Sequence, residues 1–90
     1  SAELGTYLLE RVRAIASPHV REVRGRGLWV GIDLKPEAGG ARRFCEALRE
    51  EGLLCKDTHG TVIRIAPPLV VTREQLDWAL ERIEKVLTTL

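Results

Sequence analysis

Ninety residues, 44% apolar and 30% charged, are enough for one folded domain with a modest core and too few for a second. Fourteen bases against thirteen acids leave a net charge of +1, and no basic tract exceeds two residues. That balance argues against nucleic acid or an anionic membrane as the main partner, and no apolar run approaches the length of a membrane span.

In chain order, Leu4, Leu8, Val12 and Ile15 recur at helical spacing, so residues 2–16 read as an amphipathic helix stopped by Ser17-Pro18. Val20–Arg24 is a short strand, followed by a turn or bulge at Gly25-Arg26-Gly27. LWVGIDL is the clearest strand: Leu28, Val30, Ile32 and Leu34 point one way, and Trp29, Gly31 and Asp33 the other. The G-x-G before it is no dinucleotide fingerprint, because a strand follows where a helix is required. After the loop 35–40 a second helix runs from Ala41, with Phe44, Cys45 and Leu48 on its stripe and Gly52 placed as a left-handed cap.

Leu53-Leu54-Cys55 reads as a short buried strand, and 57–60 as turn chemistry leading into a strand over Thr61–Ala66. Thr72 and Gln75 have capping-box spacing, with Val71 and Leu76 as a hydrophobic staple. Leu76, Leu80, Ile83, Leu87 and Leu90 then form the stripe of a last helix, with Trp78 off it and Glu81–Lys85 as an i,i+4 pair. The order α-β-β-α-β-β-α with short connections predicts a single α+β domain over 1–90. It is a two-layer fold with a mainly antiparallel sheet and helices packed on one face.

Arg64 is the odd residue of its strand. Ile63 and Ile65 face one side, Val62, Arg64 and Ala66 the other, and Pro67-Pro68 ends the run. A guanidinium there must reach water, an acid of its own sheet such as Asp33 or Glu22, or a bound anion. No other residue stands out as catalytic. His19 and His59 are isolated and no metal-ligand spacing exists, so no metal site is expected. His59 is a turn hydrogen-bonder or a site-lining residue. Cys45 and Cys55 read as reduced, buried thiols, as in the cytoplasm.

Two stretches, VRGRGLWVGIDL and GLLCKDTHGTVIRIAPPLVVT, resemble the C-terminal part of class III (fold type I) pyridoxal-phosphate aminotransferases. The K-x-T-H-G of the second is most similar to the ornithine branch, with Asp57 where a proline is frequent. The resemblance implies that the chain is the C-terminal small domain of a longer transaminase. It implies that Arg64 binds the carboxylate of the amino-acid or 2-oxo-acid substrate. It also implies that pyridoxal phosphate belongs to the parent's missing large domain. Lys35, Lys56 and Lys85 have no cofactor-lysine context, so this piece is expected to bind no cofactor and to be inactive alone. The sheet face carrying Trp29 and Arg64 is expected to be poorly covered, with Trp29 exposed or buried only in a self-contact, and open to self-association. A free-standing small-molecule-binding regulatory module and a purely structural interaction domain are the other readings of the same layout.

Overall fold

The computed structural model describes residues 2–26, 29–66 and 72–90. Helix α1 (Ala2–Arg13) leads to strands β1 (Val20–Arg26) and β2 (Trp29–Leu34) and a single 3-10 turn at Pro36–Ala38. Helix α2 (Arg42–Glu50), strands β3 (Lys56–Thr58) and β4 (Val62–Ile65), and helix α3 (Arg73–Thr89) complete the chain. The strands form one sheet in the order β1-β2-β4-β3, antiparallel at every junction. All three helices lie on one side of it, so the predicted order and two-layer α+β plan hold.

The core is what period-2 and period-3.6 patterning bring to that side. Val30, Ile32, Ile63 and Ile65 are buried from the sheet, against Leu8 and Val12 of α1, Phe44 and Leu48 of α2, and Leu76, Ile83 and Leu87 of α3. At about 25 cal/mol per Å² of apolar surface removed from water, this layer is the main source of stability. Thr72 accepts from the Gln75 amide at 3.1 Å while the Gln75 side chain accepts from Thr72 N–H at 2.9 Å, which closes the expected capping box. Gly52, at φ +94°, ends α2 in a Schellman closure: Leu53 N–H donates to Leu48 O and Gly52 N–H to Arg49 O, both at 2.9 Å.

Four local expectations are corrected. The third strand is Lys56–Thr58, not Leu53–Cys55. Leu53 N–H is consumed by the helix closure, and Leu54 is 79% exposed. Helix α1 stops at Arg13, short of Ala16. Leu90 falls off the apolar stripe at 43% exposure. Lys85 pairs with Glu51, the C-cap of α2, at 2.8 Å rather than with Glu81, which meets Arg82. Leu28, the Pro67-Pro68 strand stop and the Val71 half of the staple lie outside the described residues.

Candidate functional site

Because Val23, Ile32 and Ile63 point to the helices, the alternate residues face away from them. Register then aligns Arg24, Gly31, Arg64 and Lys56 in one row across all four strands. The neighbouring row on the same face is Glu22, Asp33, Val62 and Thr58.

Asp33 is the buried acid of this face, 5% exposed, and it is taken. Arg21 donates to its carboxylate at 2.5 Å, and Arg24 lies 3.9 Å away. The hydrogen bond to Asp33, and secondly its charge, hold the Arg21 guanidinium still more firmly protonated than usual. Arg64 therefore does not reach Asp33, and it has no ion pair with Glu22 either. Among the described residues no carboxylate pairs with it. Its guanidinium carbon instead lies 5.2 Å from the centre of the Trp29 ring, a cation–π contact.

Trp29 is half-buried, and what covers it is local. Its ring lies back across Gly31, where an added Cβ would meet Cη2 at 3.1 Å and Cζ2 at 3.5 Å. Gly31 is needed in the row because it leaves room for the indole, and the indole in turn forms a floor beneath Arg64. The indole Nε1 is covered and has no hydrogen-bond partner among the described residues.

Arg64 also borders an open cavity of about 520 Å³ at the β3 edge, lined by Arg49, Leu54, Cys55, Lys56, Arg64 and Ala66. Three of the six lining side chains are cations, and none is an acid. Cys55 Sγ lies 3.8 Å from Cys45 O, and both thiols are free. Burial first, and the adjacent Cys55 thiol second, push the Cys45 thiol up to about 12. Burial raises Cys55 as well. Thiols held protonated in this way are poor nucleophiles at neutral pH.

The other polar residues do not join the site. His59 is exposed at φ 55° in the turn between β3 and β4, and His19 packs edge-on against Phe44 at 5.2 Å. No group of three or more metal-ligating side chains exists among the described residues. Lys85 is held by Glu51, Lys35 precedes the 3-10 turn, and Lys56 is exposed opposite Arg64. None is the buried, unpaired amine that a Schiff base to pyridoxal phosphate requires. Sequence reasoning singled out Arg64 as a candidate but missed Lys56 as its neighbour. The signal was the alternation of K-x-T across a tight turn, obscured by placing the strand three residues too early.

Comparison with known proteins gives a consistent result. The profile of the family described as aminotransferase class-III matches residues 1–87. Ornithine aminotransferases of Geobacillus sp. (strain WCH70) and Bacillus subtilis are 58% and 55% identical over 96% and 97% of the chain. The chain spans about a fifth (21%) of the length of these relatives. Among solved structures, an ornithine aminotransferase from Plasmodium yoelii superposes with a TM-score of 0.90 at 40% identity, over 96% of this chain and 23% of that one. An acetylornithine aminotransferase from Elizabethkingia anophelis gives 0.87 at 39%, over 96% and 24%. No helix of the described residues is long and apolar enough to cross a membrane.

Proposed function

From the premise that the chain belongs to the class III aminotransferase family, we propose that it is the C-terminal small domain of a cytoplasmic ornithine–oxo-acid transaminase. Arg64 is its substrate-carboxylate-binding residue. The single observation that carries this reading is an exposed guanidinium left without an acid, resting on Trp29 at the mouth of an open cavity. A planar, permanently charged fork can hold a carboxylate through two parallel hydrogen bonds, and an aromatic floor limits the orientations it samples. The chain's part in the reaction is to bind and orient. Pyridoxal phosphate, the family's cofactor, supplies the electron sink for amino transfer, and we assign its binding to the length of the protein beyond this chain. The outer sheet face is then a contact surface for that remaining length rather than for a second copy. The family match leaves the regulatory-module reading without support.

The test is Arg64→Lys and Arg64→Ala in the full-length protein, with single-turnover kinetics for each half-reaction and a melting curve. Losing a charge-assisted pair in a partly desolvated site costs about 2–5 kcal/mol, more than tenfold in turnover efficiency. The larger effect is expected in the 2-oxo-acid half-reaction, with Lys a poor replacement for the fork. Unchanged kinetics with a lowered melting temperature would return Arg64 to a purely structural role.

A further inference from the structure

Lys56 stands directly opposite Arg64 on the edge strand, and both line the same cavity. Like charges facing each other across an antiparallel pair destabilise the sheet. Several exposed cations elsewhere are matched by an acid: Arg21 and Arg24 by Asp33, Arg42 by Glu46, Lys85 by Glu51. Neither Lys56 nor Arg64 has an ion pair among the described residues, and the adjacent Asp57 belongs to the opposite row, across from Ile63. Arg49 at the end of α2 adds a third positive charge to the cavity wall. A sheet gains nothing from this arrangement, whereas an anion seated between the two side chains turns the repulsion into two attractions.

We propose that Lys56 is a second binding cation for the carboxylate held by Arg64, an inference that rests on the reading of Arg64 given above. The two groups have different roles. The Arg64 fork fixes the carboxylate's plane, while the Lys56 ammonium is a point charge that adds attraction without specifying geometry. Because Lys56 acts equally on bound substrate and on the transition state, it governs KM rather than kcat. Because it is exposed, its contribution is screened by salt.

The experiment uses the full-length protein with Lys56→Gln, Lys56→Glu and Lys56→Arg, alongside Arg64→Ala. KM and kcat for the 2-oxo-acid substrate are measured at low and high ionic strength, with melting temperatures. Lys56→Gln should raise KM about three- to fivefold at low salt, in the range of a single partly exposed charge. It should raise KM less at high salt, leave kcat unchanged, and leave the melting temperature unchanged or higher. Lys56→Glu should pair with Arg64 across the strands, raising KM further and the melting temperature with it, and Lys56→Arg should restore KM. A KM within twofold of the parent for both Gln and Glu at low salt, while Arg64→Ala is impaired, would overturn the role of Lys56 and spare that of Arg64. Melting temperatures that fall together with rising KM would overturn it in favour of a structural role. If Arg64→Ala is also silent, the underlying reading fails and this inference fails with it.

Discussion

Toward the helices the sheet presents Val23, Val30, Ile32, Leu34, Ile63 and Ile65, all buried and all apolar. Away from them the same strands present Arg24, Gly31, Arg64 and Lys56 in a row, with Trp29 at its side. Ile63 and Arg64 are consecutive residues, so backbone, strand and position along the chain are shared and only the direction of the side chain differs. One face follows the rule of apolar burial. The other holds like charges opposite each other and a glycine in mid-strand, both unfavourable for a sheet on its own. Departures from local stability are concentrated on the face that carries the candidate site, where a requirement other than folding sets the residue choice.

The contrast is broken most forcefully on the inner side. Ile63→Ala empties a fully buried position and should cost about 2–5 kcal/mol in denaturant or thermal unfolding. Arg64→Ala, one residue on, should change stability by no more than about 0.5 kcal/mol, the usual range for a surface substitution. Equal losses at the two positions would mean that the faces do not differ as described.

A smaller effect sharpens the account of the outer side. Gly31→Ala places a methyl 3.1 Å from the Trp29 ring and must displace it. The expected cost is about 1 kcal/mol, at the low end for overpacking, because the ring lies on an open face. Trp29 emission, read in a Trp78→Phe background, should shift toward that of a more exposed indole. An unchanged spectrum would show that Trp29 does not rest on Gly31.

The smallest effect concerns the thiols at the boundary between the two sides. The Cys45 thiol is raised from 9.0 to about 12 in the folded chain, so its contribution to stability is fully present below about pH 9. It is lost progressively from there to about pH 12, as the unfolded chain releases its proton first. Stability should therefore decline more steeply across that window in the parent than in Cys45→Ala. An alkylating reagent at pH 8 should label the native thiols slowly and the denatured ones quickly. Rapid native labelling of Cys45 would contradict its burial.

The inner face was legible in the sequence because burial imposes a period that needs no knowledge of neighbours: alternation fixed the facing of β2 and β4, and helical spacing that of α3. Thr72–Gln75 and Gly52 were legible for a similar reason, since capping is settled within a few residues. What escaped depends on register and on reach between elements. Leu53-Leu54-Cys55 has strand composition, but Leu53 closes the preceding helix and the ladder starts at Lys56. Lys85 has Glu81 at the favourable spacing, yet Glu51, just past the end of α2, comes closer. Asp33 was a plausible partner for Arg64 until the pairing of β1 with β2 brought Arg21 and Arg24 to it. The facing of Arg64 was readable from its own strand, but its isolation from acids depended on how three other strands align.

The strand order also determines how the chain meets copies of itself. In the order β1-β2-β4-β3, the strands with one edge unpaired among the described residues are β1 and β3, and an exposed edge invites another strand to add on. Strand β3 is three residues long, and its first two residues are the exposed, charged Lys56 and Asp57. Strand β1 is longer, but a register shift between Val20 and Glu22 interrupts its regular edge, and Arg21, Glu22 and Arg24 are exposed along it. Arg13 from α1 also donates from Nε and a terminal nitrogen to Val23 O, at 3.2 and 3.1 Å, occupying one carbonyl with a charged side chain. A shortened edge at one end and an interrupted, charge-lined edge at the other are poor templates for edge-to-edge aggregation, which favours leaving this small open sheet unextended at high protein concentration.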